Sequence, residues 1–188
     1  NEQRKLSIAS VSKLMTALVA VENVDLSQKI KISNADVSQS NDPELLKPGE
    51  IFYAKDLLYA TLVDSDNVAS HALSGGLEGN PGVKTFISLM NAKAQEIGLS
   101  DTSFANSTGL SLANFSTAQD LVKLAEYLLK NHPSILGITT MQEFDLRTVD
   151  GKTLHKIINT DELLKDSPDF AKRIVGGKTG LTRQAGQC

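Results

Sequence analysis

Three short groups of residues hold the side chains that acyl transfer to a serine requires: Ser10-Val11-Ser12-Lys13, Ser65-Asp66-Asn67 and Lys178-Thr179-Gly180. A serine hydroxyl is a weak nucleophile at neutral pH, and a nearby amine that has lost its proton is one way to activate it. Ser10 and Lys13 stand one helical turn apart, so on a helix their hydroxyl and amine share a face. Each group also has an ordinary structural reading. Ser10 could cap a helix beside a solvated lysine, residues 65–67 could form a loop bonding its own backbone, and residues 178–180 could end a polar strand. Each group occurs once, and the three fall at a helix start, an interhelical loop and a glycine-rich strand-like run. That joint occurrence points to catalysis.

The elements that would position these groups follow from periodicity. Leu14, Ala17, Leu18 and Val21 recur at helical spacing, which predicts a helix over residues 10–24 with Ser10 at or near its cap. Residues 25–33 alternate as a short half-exposed strand does. Asp42-Pro43 and Lys47-Pro48-Gly49-Glu50 bracket a loop. Residues 56–63 read as a buried helix with an acidic first turn, and residues 68–73 as another helical stretch. Gly75-Gly76 and Gly79-Asn80-Pro81-Gly82 break the chain. A helix over residues 83–97 carries Phe86, Met90 and Ala94 on one face and ends at Gly98. Residues 106–110 are irregular. A further helix starts at Ser116-Thr117-Ala118-Gln119 and runs to about residue 130, with Pro133 beyond it. Residues 144–149 and 153–158 read as paired strands about an Asp150-Gly151 turn. Residues 173–182 read as a strand whose glycines mark close backbone approach by a ligand. A helical middle with strand-like ends predicts an α+β fold in one domain, 1–188, with a mostly helical lobe at about 34–135 inserted in an α/β lobe. The first helix begins after only nine residues, and the terminal strand finds few partners. Part of a sheet is therefore expected beyond this chain at both ends.

Composition bounds the partners. The chain has 188 residues, a net charge of −3 and one cysteine, Cys188. The slightly acidic balance gives no reason to expect nucleic acid. No apolar run approaches the roughly 18 residues that cross a bilayer, and a lone cysteine fixes no redox compartment.

S-x-x-K, S-D-N and K-T-G together are the motif set of penicillin-binding proteins and class A β-lactamases. Longer stretches resemble one branch, the serine-type D-alanyl-D-alanine carboxypeptidases (low-molecular-weight penicillin-binding proteins, peptidase S11 type). They are residues 8–17, Lys47-Pro48-Gly49-Glu50, Asp56-Leu57-Leu58-Tyr59-Ala60, Met90-Asn91-Ala92-Lys93-Ala94, Ser116-Thr117-Ala118-Gln119-Asp120-Leu121, and Gly177 to Thr182 with Ala185-Gly186. The resemblance covers essentially the whole chain. It implies a β-lactamase/DD-peptidase-like fold, with an antiparallel sheet flanked by helices, and an extracytoplasmic hydrolase acting on peptidoglycan pentapeptides. It also implies β-lactams as covalent inhibitors, no cofactor, and membrane attachment only through segments outside this chain.

The resemblance implies roles as well. Ser10 would attack the carbonyl between the last two D-alanines, and Lys13, neutral among other positive charges, would take its proton. Ser65 would relay a proton to the departing D-alanine. Asn67 would bond the substrate backbone and hold Lys13. Lys178 would supply positive field, and Thr179 would bond the terminal carboxylate. Substrate would lie along the strand edge at Gly180, with backbone N–H groups of Ser10 and Leu181 as the oxyanion donors. Leu181 departs from relatives that often carry an aromatic residue or His there; a backbone donor tolerates the change. Lys13→Ala is expected to block acylation and leave folding nearly intact.

A class A β-lactamase needs a loop glutamate followed four residues later by Asn. Glu78, Glu96, Glu126, Glu143 and Glu162 are followed at that distance by Gly82, Ser100, Lys130, Arg147 and Asp166. Penicillin should therefore be held as a long-lived acyl-enzyme. A non-catalytic cell-wall-peptide-binding relative is the other alternative, against which the intact Ser10 and Lys13 argue. His71, His132 and His155 show no metal-ligand spacing, and Asp66 reads as a loop residue.

Overall fold

The structure, a computed structural model, describes residues 2–39, 45–77, 82–166, 169 and 172–187. The expected breaks at Asp42-Pro43 and Gly79-Asn80-Pro81, and Cys188, lie outside the described residues. In chain order the elements are β1 (Leu6–Ser7), a 3-10 turn (Ala9–Ser12), α1 (Lys13–Asn23), β2 (Lys29–Lys31), α2 (Asn34–Val37), β3 (Ile51–Tyr53), α3 (Ala54–Val63) and α4 (Asn67–Ser74). They continue with α5 (Gly82–Glu96), β4 (Phe115–Ser116), α6 (Ala118–Asn131), α7 (Pro133–Thr139), β5 (Glu143–Arg147), β6 (Leu154–Ile158), α8 (Leu163–Asp166), β7 (Leu181–Thr182) and β8 (Gly186–Gln187).

The fold is α+β, with the strands paired as four two-stranded antiparallel ladders: β1 with β4, β2 with β3, β5 with β6, and β7 with β8. At its centre lies α1, where every residue from Lys13 to Ala20 is buried. A helix buried on all sides must be enclosed by neighbours, and α3, α4, α5 and α7 pack around it. Phe86, Met90 and Ala94, one turn apart on α5, are all buried. The two large side chains, Phe86 and Met90, each contribute roughly 1.5–3 kcal/mol on burial. Gly98, at φ +76°, ends this helix in the left-handed conformation, and Leu99 N–H reaches back to Ala94 O at 2.8 Å. Thr117 caps α6 by accepting from Asp120 N–H at 3.1 Å.

Several elements differ from expectation for identifiable reasons. The first helix opens as a 3-10 turn with Ser10 inside it, and the cap positions of the turn and of α1 fall to Ile8 and Ser12. Ladder formation in 25–33 is confined to residues 29–31, whose partner β3 lacks a clear alternating signature. Pro133 does not merely follow α6; it occupies the first turn of α7, where a missing N–H costs nothing. Residues 174–180 form no ladder, and only residues 181–182, at the end of the expected strand, pair with residues 186–187. A strand exists only with a hydrogen-bonded neighbour, and this run is held by other means.

Candidate active site

The turn before α1 is unusual in its backbone. Ala9 adopts φ 44°, a left-handed conformation that costs an ordinary residue on the order of 1–2 kcal/mol. Two glycines press on it. A β-carbon at Gly109 would meet Ala9 O at 2.0 Å, and one at Gly180 would meet Ile8 O at 3.1 Å and Val11 N at 3.3 Å. The strained turn is thus gripped between the 106–110 loop and the 178–180 segment. Ser10, half-buried, sits at its middle.

One turn on, Lys13 is completely buried. Its Nζ donates to Ser10 Oγ at 3.0 Å, Asn67 Oδ1 at 2.8 Å and Thr108 O at 2.6 Å. All three ammonium donors are accounted for. Burial, and then the charge of Lys178, push its pKa down to about 7 against the opposing pull of Asp66. A large fraction of Lys13 is therefore neutral near pH 7, which suits it to accept a proton from a hydroxyl.

The second group lies between α3 and α4. Ser65 is itself left-handed, at φ 60°. Asp66 caps α4 by accepting from Ala69 N–H at 2.6 Å, which places Asn67 at the first helical position with its amide oxygen on Lys13. The cap thus aims the side chain that follows it.

The third group is anchored by side chains. Gly177 N–H donates to Thr139 Oγ1 at 3.0 Å, and the Thr160 and Thr179 hydroxyls are hydrogen-bonded to each other. A β-carbon at Gly176 would meet Leu136 Cβ at 2.7 Å, so the segment lies flat on α7. Lys178 Nζ donates to Thr179 O at 3.1 Å and Thr179 Oγ1 at 3.3 Å. Burial lowers its pKa to about 8, opposed by Asp64 and Asp161. Gly180 is buried against the turn, and β7, with Leu181 70% exposed, runs beside it.

All three groups therefore meet around Ser10. Sequence reasoning missed what braces them. Ser107 O accepts from Thr16 Oγ1 at 2.7 Å and from Ser70 Oγ at 2.8 Å, tying the 106–110 loop to α1 and α4. Asn114, fully buried, uses every capacity of its amide: Oδ1 accepts from Ala105 N and Asn106 N, and Nδ2 donates to Asn106 O and Ser12 Oγ. The turn-rich run Asn106-Ser107-Thr108-Gly109 was the one visible hint. The contacts of Lys13 bear on the expectation for Lys13→Ala: its removal leaves Asn67 Oδ1 and Thr108 O without their shared donor, so a loss of stability is expected along with the loss of acylation. The three histidines lie elsewhere, each on a carboxylate: His71 on Asp36, His132 on Glu22 and His155 on Glu50.

Comparison with known proteins agrees with this arrangement. The chain is 34% identical over 194 residues to D-alanyl-D-alanine carboxypeptidase DacF of Bacillus subtilis, covering 100% of this chain and 48% of the relative. It is 37% identical over 190 residues to the D-alanyl-D-alanine endopeptidase of Escherichia coli, covering 96% of this chain and 57% of the relative. The chain thus spans about half the length of these curated relatives. Among solved structures, the D-alanyl-D-alanine carboxypeptidase of Mycobacterium tuberculosis H37Rv superposes with a TM-score of 0.85 at 30% identity, over 100% of this chain and 68% of that one. The profile of the peptidase S11 family, described as D-alanyl-D-alanine carboxypeptidase, matches residues 1–188. With the match spanning every residue and the fold shared, this chain belongs to the peptidase S11 D-alanyl-D-alanine carboxypeptidase family.

Proposed function

We propose that this chain carries the acyl-transfer site of a serine DD-carboxypeptidase that removes the terminal D-alanine from peptidoglycan stem peptides. The observation that carries the reading is the buried Lys13 amine, 3.0 Å from Ser10 Oγ and with a pKa of about 7. Neutral Lys13 Nζ takes the Ser10 proton as Oγ bonds the carbonyl carbon between the last two D-alanines. The oxyanion accepts from the Ser10 and Leu181 backbone N–H groups. Its collapse breaks the C–N bond, and Ser65 passes a proton from the Lys13 ammonium to the departing amine. Water then cleaves the Ser10 ester and regenerates the hydroxyl.

The remaining residues bind. Asn67 bonds the peptide backbone while holding Lys13, Lys178 supplies positive field, and Thr179 bonds the terminal carboxylate. Gly180 keeps the edge beside β7 open for an extended peptide. On this reading residues 1–188 form one catalytic unit, with residues 34–135 as its mostly helical lobe. β-Lactams acylate Ser10, and the substrate places the enzyme outside the cytoplasm. No helix among the described residues is long and apolar enough to cross a membrane.

Intact mass after incubation with benzylpenicillin tests the reading, with D-alanine release from a pentapeptide measured in parallel. The expected result is one adduct, absent in Ser10→Ala, that persists for hours. A chain that melts cooperatively yet gains no adduct overturns it.

A further inference from the structure

Thr160 lies between two of the three groups without belonging to either. Its backbone N–H donates to Val63 O at 3.2 Å, at the last residue of α3, just before the Ser65 loop. Its hydroxyl bonds that of Thr179 on the opposite side. The preceding residue, Asn159, fixes this backbone: buried, it donates to Thr139 O at 2.8 Å and Met141 O at 2.7 Å and accepts from Asp161 N–H at 2.8 Å. Thr160 itself is exposed, so its side chain is not needed to fill the core.

Either hydroxyl of the Thr160–Thr179 pair can be the donor, and the neighbouring lysine bears on which one is. A threonine hydroxyl has one proton and two lone pairs. Thr179 Oγ1 already accepts from Lys178 Nζ at 3.3 Å. When Thr160 donates into the second lone pair, the proton is all that Thr179 Oγ1 has left to offer, and it points to an incoming acceptor. An ionised carboxylate is a pure acceptor and takes the stronger, charge-assisted bond; an ester does not. We propose that Thr160 is a positioning residue that sets the Thr179 hydroxyl as a donor and thereby favours acyl donors carrying a free carboxylate. This rests on the acyl-transfer reading above.

Acylation rates followed by intact mass, with benzylpenicillin and with its methyl ester, give the acid-over-ester preference directly. Thr160→Val removes the hydroxyl at nearly constant shape and is expected to lower that preference about tenfold, the value of roughly one hydrogen bond, by slowing the acid alone. Thr160→Ser is expected to restore it, and the thermal melt of both variants to match the wild type. An unchanged preference overturns the assignment, and so does an equal loss on both compounds, which would mark a merely structural role. In either case a labelled wild type leaves the acyl-transfer reading standing. A wild type labelled by neither compound overturns that reading and the role of Thr160 with it.

Discussion

A β-carbon on Gly109 would lie 2.0 Å from the carbonyl oxygen of Ala9 and 2.9 Å from the backbone nitrogen of Ser10. Nothing but a glycine lets the 106–110 loop approach the turn this closely, and its φ of +86° disfavours any side chain independently. The same loop places Thr108 O on Lys13. Gly109→Ala is therefore expected to displace Ser10 or withdraw Thr108. Acylation by benzylpenicillin should fall by about 100-fold or more, since misplacement near 1 Å costs that much. Stopped-flow acylation rates check this, and a rate within a few-fold of wild type would remove the proposed role of the close contact.

The two lysines predict a bell-shaped pH dependence of acylation. On the proposed mechanism Lys13 is the base and must be neutral, so the rate is expected to climb with pH through about 7. On the same mechanism Lys178 supplies its field only when charged, so the rate is expected to decline through about 8. In Lys178→Met the second cause of the Lys13 depression disappears. The ascending limb should then move to higher pH and the descending limb should vanish. A limb that stays in place would mean burial alone sets the Lys13 pKa.

Lys13→Ala should abolish labelling and also lower the melting temperature. Asn67 Oδ1 and Thr108 O lose a common donor in a closed site, at a cost of about 1–3 kcal/mol. Lys13→Met adds a linkage test. The wild-type lysine has a folded pKa below the unfolded 10.5, so the unfolded chain binds more protons between about 7 and 10.5. The lysine's contribution to stability therefore rises with pH across that window. Melting temperatures from pH 7 to 9 should climb more steeply in the wild type than in Lys13→Met, and parallel curves would contradict the depressed pKa.

Asn114→Ala tests the brace behind the loop. It strands two backbone N–H groups and the Ser12 hydroxyl in a buried setting. A loss of about 2–4 kcal/mol is expected, measured by denaturant unfolding, together with slower acylation as Thr108 loses its support. Full stability in this variant would show that water replaces the amide.

Much of this molecule is legible in the order of its residues, because the relevant interactions are local. Helical spacing in α1 and α5, the Thr117 cap, the glycine end at Gly98 and the Asp150-Gly151 turn all report contacts within a few positions. The chemistry of Ser10 and Lys13 is likewise local, one turn apart on the same backbone. The pairing of β2 with β3 and the start of α7 at Pro133 were not legible, since short ladders and short helices derive their stability from distant neighbours. The run from 173 to 182 reads as a strand by composition, yet it forms a ladder only at its end and is otherwise held by Thr139 and Thr160.

The sequence by itself determined which side chains could do acyl chemistry and that they stand on a helix, a loop and a glycine-rich segment. Only the tertiary structure decided that Lys13 is dry, that its three protons go to Ser10, Asn67 and Thr108, and that its pKa falls to about 7. Desolvation is the sum of everything packed around a group. Apart from Ser10, the groups around Lys13 come from positions 67, 108 and 178, separations that no local pattern reports.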